Sequence, residues 1–182
     1  MEAAQYDLIV AGGGPAGSAC AITAARLGAK VLLLEKDRFP RQKVCGEFVS
    51  PESLGLLHGL LKDGLLKDGL LKDGLLKDGL LKDGLLRNRL LTNGVLKDAR
   101  QNDDCFPSAP QVLSSRIFLD NKSLTLPVSP PAQTIPRFDL DPALFQAAQN
   151  NGVTAQEDVA VSEVRRDDLF HAVTAEKTYT AR

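Results

Sequence analysis

The stretch YDLIVAGGGPAG, Tyr6–Gly17, decides how the rest of the chain is read. A short apolar run, Tyr6–Val10, leads directly into Gly12, Gly13 and Gly14, in the spacing Gly12-x-Gly14-x-x-Gly17. Each of the three spaced glycines answers a steric need. Gly12 permits a tight strand-to-helix turn, Gly14 lets backbone approach a pyrophosphate, and Gly17 lets the helix lie close on the strand. Pro15 suits a first helical turn, and the helix is expected from about Pro15 to Leu27, ended by Gly28. Ala19, Ile22, Thr23, Arg26 and Leu27 supply its helical spacing. The free N–H groups and positive dipole end of such a helix attract phosphate. Lys30–Leu34 is apolar after its first residue, as a buried parallel strand should be, and it delivers Glu35, 18 residues beyond Gly17. A carboxylate there can accept hydrogen bonds from the 2′- and 3′-hydroxyls of a ribose, and it would repel a 2′-phosphate. Strand, turn, helix, strand and acid in register predict a βαβ dinucleotide site; the alternative is a glycine-rich turn with no ligand.

The totals agree with a soluble α/β domain. The 182 residues suffice for one ordinary domain, at 43% hydrophobic and 25% charged. A formal net charge of -1 gives no electrostatic reason to expect nucleic acid. The N-terminus has neither the basic start nor the apolar run of a signal peptide, and no run of 18 apolar residues exists, so a cytoplasmic protein without a transmembrane segment is expected. Cys20, Cys45 and Cys105 are odd in number and widely spaced, and only His58 and His171 could assist them, so neither a disulfide framework nor a metal centre is expected.

Further along, Arg116–Asp120 and Ser123–Val128 flank Asn121-Lys122 and predict a hairpin, with Pro127, Pro130, Pro131 and Pro136 interrupting the chain beyond it. Asp141 before Pro142 reads as an N-cap, Leu144, Phe145 and Ala148 as the apolar face of a helix, and Gly152 as its close. Val159, Val161 and Val164 suggest a strand, Arg165–Asp168 a turn, and Leu169–Ala172 with Thr178–Ala181 a further pair. Cys20 is expected in the core and Cys105 in a polar loop.

Residues 60–99 are of another kind. Leu-Leu-Lys-Asp-Gly occurs five times without error from Leu60 to Gly84, and three decayed copies come after it. On a helix the leucine pairs of a five-residue period wander around the axis, and on a strand an odd period alternates faces. Each helical glycine would also cost roughly 1 kcal/mol relative to alanine. The repeat therefore reads as a low-complexity insertion in a tolerant surface segment. Imperfect helical packing on the domain and a membrane-surface or partner-binding module are the alternatives. Alternating Lys and Asp weaken the membrane reading.

The residues Asp7–Ser18 (DLIVAGGGPAGS), Leu33–Lys36 (LLEK), Phe39–Glu47 (FPRQKVCGE) and Ser50-Pro51 resemble the FAD-dependent oxidoreductases of the geranylgeranyl reductase group, relatives of the aromatic hydroxylase and halogenase flavoproteins. Cys45-Gly46-Glu47 separates that group from plain nicotinamide dehydrogenases. Ile135–Asp139 (IPRFD) resembles the segment by which the family's chain returns to the nucleotide domain. The resemblance implies a Rossmann-type FAD/NAD(P)-binding fold, a parallel sheet flanked by helices, with part of an antiparallel substrate-domain sheet. It divides the chain into an FAD-binding segment at 1–58, the repeat at 60–99, substrate-domain strands at 112–136 and a return to the FAD domain at 137–182. It implies further that Gly12, Gly14, Pro15, Ala16 and Gly17 lie at the pyrophosphate, and that Glu35, followed by Lys36, lies at the adenosine ribose. Cys45 and Gly46 would lie along the flavin, Arg137 would close over the cofactor, and Val161 would present backbone to the adenine. Arg41 and Lys43 are candidate phosphate or substrate contacts, or an ordinary solvated basic pair; Cys45 is alternatively a small buried residue.

The family's downstream Gly-Asp motif has no counterpart, since the chain contains no Gly-Asp pair. The expectation is an incomplete domain, the N-terminal part of a flavoenzyme. The implied chemistry is flavin redox catalysis with NAD(P)H as external reductant, acting on an isoprenoid-like alkene as a reductase or with oxygen as a monooxygenase on an isoprenoid or aromatic small molecule. No residue declares itself as the catalytic acid or base. An NAD-dependent dehydrogenase and a non-catalytic fragment are the rival readings, and peripheral membrane contact is compatible with the first.

Overall fold

A computed structural model describes residues 5–62 and 105–182. The chain forms two compact units, one of residues 1–46 with 136–182 and the other of residues 47–135. The first unit is built on three parallel strands in the order β1 (Leu8–Ala11), β2 (Val31–Leu34), β6 (Thr154–Gln156). Leu8 pairs with Val31 and Leu32 with Thr154, so β2 is central. All four β2 side chains are buried, which is why this strand is a continuous apolar run without alternation.

Helix α1 (Pro15–Arg26) connects β1 to β2, and Gly28 ends it at φ +90°. Its buried residues are Ser18, Ala21 and Ile22. The expected stripe through Thr23 and Leu27 is corrected, because both are exposed; the buried face runs through Ser18, Ala21 and Ile22. Cys20 lies about 200° around the helix from Ser18 and is exposed, not in the core.

Helix α3 (Arg137–Asn150) packs against α1, and the Arg26 Nε donates to Asn151 Oδ1 at 2.7 Å where the two helices end. It begins four residues before the expected N-cap. Asp141 lies inside the first turns with Pro142 after it, and Pro136 occupies the capping position. The upstream turn is held by the i,i+4 pair between Arg137 and Asp141 and by burial of Leu140, which together outweigh the one backbone bond Pro142 cannot make. Leu144, Phe145 and Ala148 form the buried face as expected, and Gly152 closes the helix at φ +83°. Leu144 is wholly inaccessible, so Leu144→Ala should cost about 2–5 kcal/mol, read as a lowered urea midpoint at unchanged m-value.

Strands β7 (Glu163–Arg166), β8 (Phe170–Val173) and β9 (Thr178–Ala181) form an antiparallel meander. The β8–β9 pair is legible in the sequence. The valine-rich strand is not: Val159 and Val161 precede β7, packing on the cluster of Leu32, Leu34 and Tyr179, while Val164 is exposed and Arg165 and Arg166 belong to β7 and not to a turn. Tyr179 is locked by its hydroxyl, which donates to Gln156 Oε1 at 2.6 Å.

The second unit contains β3 (Phe48–Val49), α2 (Pro51–Leu61), β4 (Gln111–Leu119) and β5 (Lys122–Thr134), with strand order β3-β5-β4. The hairpin turns at Asp120 and Asn121, one residue earlier than expected, with Asp120 at φ +49°. The prolines do not end β5. Pro127 pairs with Ser114, and Pro130 and Pro131 fall where the register slips between the Ser114 and Val112 pairings, so no ladder bond requires their missing N–H groups. Helix α2 is not anticipated from the sequence, although Ser50 caps it by accepting from the Ser53 N–H and Pro51 stands at the first position. Its last residues, Leu60 and Leu61, are the first leucines of the five-residue repeat; the repeat beyond Lys62 lies outside the described residues.

Candidate functional site

The C-terminal ends of β1 and β2 and the N-terminus of α1 converge on the glycine turn. Gly12 stands at φ +109°, where an L side chain is strained, and its N–H donates to the Leu34 carbonyl at 2.7 Å. A Cβ at Gly17 would overlap the Gly12 carbonyl oxygen. Gly13 is constrained as well, which the spacing does not announce: a Cβ there would come within 2.9 Å of Phe145 Cδ2 and 3.1 Å of Glu35 Cβ. Ser18, fully buried, donates its hydroxyl to the Gly13 carbonyl and pins the turn from beneath. Pro15 and Ala16 form the first turn of α1, where N–H groups have no helical acceptor.

Glu35 anchors the opposite wall. Its Oε2 accepts the Gly13 N–H at 2.7 Å and the Arg41 Nη2 at 3.1 Å, and its Oε1 accepts the Asp37 N–H at 3.0 Å. Burial alone would raise this carboxyl. The N–H groups of Asp37 and Gly13, with the Arg41 charge, outweigh it and hold the carboxyl below the ordinary glutamate range. A carboxylate offers about four lone-pair positions, and three are taken, so Oε1 keeps room for one further donor. The backbone is fixed too, by Glu35 N–H to Gln156 and by Val159 N–H to the Glu35 carbonyl.

Two guanidinium groups close the site above Gly14. A Cβ on Gly14 would lie 3.1 Å from Arg137 Nη2 and 3.9 Å from Arg41 Nη2. Arg41 comes from the loop after β2 and Arg137 from the first residue of α3, 96 positions apart in sequence. The Arg41 side chain is 10% exposed, and its Nε and Nη1 are buried without a hydrogen-bond acceptor. Nε faces Asp37 Oδ2 at 3.7 Å, beyond hydrogen-bond range, so the guanidinium beside Gly14 keeps donor capacity that an oxyanion of a bound phosphate would satisfy. Arg137 is held charged first by its hydrogen bond to Asp141, and it also lies within hydrogen-bond reach of the exposed Cys45.

The structure thus brings Gly12, Gly14, Pro15, Ala16, Gly17, Glu35, Arg41, Cys45 and Arg137 into one neighbourhood. Lys36 and Gly46 are exposed beside it, and Lys43 pairs with Asp37 at 3.5 Å. Val161 lies two residues beyond the Val159 that bonds to Glu35. Gly13 and Asp141 are the members that the sequence does not announce. Gly13 occupies a variable place in the glycine spacing, and Asp141 reads as a cap; its i,i+4 relation to Arg137 is the available signal. The described residues contain no helix long and apolar enough to cross a membrane.

Parallel strands joined by a helix whose N-terminus faces an acid just beyond the second strand define a Rossmann-type βαβ fold. Residues 7–40 match the family model of the FAD dependent oxidoreductases. Over 54 residues, 30% of this chain and 13% of the relative, it is 48% identical to menaquinone reductase of Mycobacterium tuberculosis. Over 51 residues, 28% of this chain and 12% of the relative, it is 51% identical to digeranylgeranylglycerophospholipid reductase 1 of Methanococcoides burtonii. It is also 58% identical over 45 residues, 25% of this chain and 9% of the relative, to the flavin-dependent halogenase armH3 of Armillaria mellea. In fold it is similar to the halogenase PltM, solved with phloroglucinol and FAD, at a TM-score of 0.64 and 20% identity over 97% of this chain and 33% of that one. The chain therefore spans about a third of the length of its structural relative.

Proposed function

We propose that this chain holds FAD on the turn Gly12–Gly17 and serves a flavin-dependent oxidoreductase. The observation that carries the reading is the convergence of Arg41 and Arg137 on Gly14, at the N-terminus of α1, with Arg41 Nη1 left without a hydrogen-bond acceptor. In this reading the α1 N–H groups and both arginines hold the pyrophosphate. The remaining lone pair of Glu35 Oε1 orients one ribose hydroxyl, and Val161 supports the adenine. Cys45 and Gly46, next to Arg137, border the flavin. Bound FAD supplies the hydride-accepting and hydride-donating ring that no side chain can offer. The protein residues bind it, orient it and neutralise its phosphates.

For the reaction we favour reduction of an isoprenoid-like alkene, with NAD(P)H as the external reductant, in a cytoplasmic protein that meets its lipid-like substrate at a membrane surface. The similarity to reductases of a menaquinone and of a digeranylgeranyl lipid supports this. An oxygen-using reaction on an aromatic molecule is the second reading, favoured by the similarity to a flavin-dependent halogenase. Purified protein should show a flavin absorbance band, release FAD on denaturation and lose the band anaerobically when NADPH is added. Colourless protein that cannot take up added FAD would overturn the reading.

A further inference from the structure

Asp141 is the one fully inaccessible carboxylate among the described residues of the unit, and it lies outside the glycine turn. It takes Arg137 in a two-pronged grip, Nε to Oδ1 and Nη2 to Oδ2 at 2.8 Å, and its Oδ2 also lies 3.5 Å from Arg41 Nη2. Asp141 thereby fixes Arg137 and links it to Arg41, which Glu35 Oε2 holds from the other side at 3.1 Å. Both point at Gly14. A planar guanidinium bound through two N–H groups has its orientation set as well as its position.

Resting on the FAD-binding reading above, we propose that Asp141 is a positioning residue: it fixes Arg137 and Arg41 over Gly14 so that together they form a receptor for an organic pyrophosphate. The sign of the effect separates positioning from charge balance. If Asp141 merely offset two positive charges, removing its charge would leave an excess of positive charge and tighten anion binding. If it positions them, removing the charge frees Arg137 and breaks its link to Arg41, the pre-organisation is lost and binding weakens.

The test compares wild-type protein with Asp141→Asn, and with Asp139→Asn on the exposed side of the same helix as a control. FAD affinity is read by quenching of flavin fluorescence, and the affinity of inorganic pyrophosphate by its competition with FAD. Asp141→Asn should weaken both about tenfold or more, with Asp139→Asn unchanged. Equal or tighter binding by D141N overturns the proposal, as does a lowered melting temperature with unchanged affinities, which would mark a purely structural role. Should D141N fail to fold, Arg137→Lys decides: lysine keeps the charge but cannot take both carboxylate oxygens, so a loss of about fivefold or more is expected and unchanged affinity overturns. Wild-type protein that takes up no FAD refutes the FAD reading instead. Inorganic pyrophosphate then still decides the receptor, expected to raise the melting temperature of wild type and not of D141N; no shift in wild type overturns it.

Discussion

A Gly17→Ala variant is expected to lose about 3 kcal/mol of stability and to bind FAD at least ~100-fold more weakly than wild type. The added methyl would overlap the Gly12 carbonyl oxygen and reach within 3.3 Å of Val10 Cγ1. The first obstacle is backbone, so no rotamer change relieves it. Gly12 cannot yield either, since its N–H is tied to the Leu34 carbonyl and its φ of +109° is already unusual. Helix α1 must therefore move off β1. Overpacking in a rigid setting ordinarily costs about 1–3 kcal/mol, and here the upper end applies. Against a total of about 5–15 kcal/mol that is a large share. The affinity loss has a separate cause, because in the proposed site two charge-assisted bonds from α1 N–H groups to phosphate, each worth roughly 1.5–3 kcal/mol, would depend on the helix being in place. Gly59→Ala is the control: it lies inside α2, its Cβ would meet nothing within 4 Å, and a gain of about 0.5–1 kcal/mol is expected. Urea unfolding of both variants, with FAD titration of the folded protein, checks the pair. Unchanged stability and affinity in Gly17→Ala would mean that the close contact of helix and strand does not exist.

How much of the molecule is legible in its sequence depends on how local each cause is. The βαβ segment is legible because each requirement sits within a few residues of its cause: a turn needing Gly12, a close approach needing Gly17, a buried strand needing Val31–Leu34. The β8–β9 pair and the close of α3 at Gly152 are legible for the same reason. The start of α3 is not, because the rule that places proline in the first turn competes with a side-chain pair, Arg137–Asp141, whose value depends on tertiary burial. The sequence offers Arg41 with Lys43 as a basic pair and Arg137 by resemblance alone, and only the fold shows that Arg41 and Arg137 share one acid and one glycine. Composition misplaces Cys20: cysteine favours cores, but its angular position on α1 faces solvent.

Replacing Glu35 by Ala should destabilise the protein by about 3–5 kcal/mol, and it should weaken FAD binding beyond what the stability loss explains. The side chain is 4% exposed and holds together three donors, of which Arg41 is itself buried. Removing the acid leaves the Gly13 and Asp37 N–H groups without their acceptor in a dry setting and takes from Arg41 its nearest carboxylate, Asp141 and Asp37 staying within ion-pair distance. Arg41 would then keep only its longer contacts to Asp141 and Asp37, so in the proposed site the loss of the glutamate is felt on the phosphate side as well as the ribose side. Glu35→Gln separates the effects, since it keeps the size and one acceptor oxygen but turns an amide toward donors. Acid dependence gives the sharper check. The folded-state carboxyl titrates below its ordinary value of 4.5, so its contribution is fully present above that pH and is lost as pH falls through the folded value. Wild type should therefore exceed Glu35→Gln in urea midpoint by a constant margin from about pH 7 to about 5.5, and the margin should shrink below about 4.5. A margin independent of pH down to about 3.5 would show that the Glu35 charge contributes nothing to the folded state, and that the Arg41 contact is incidental.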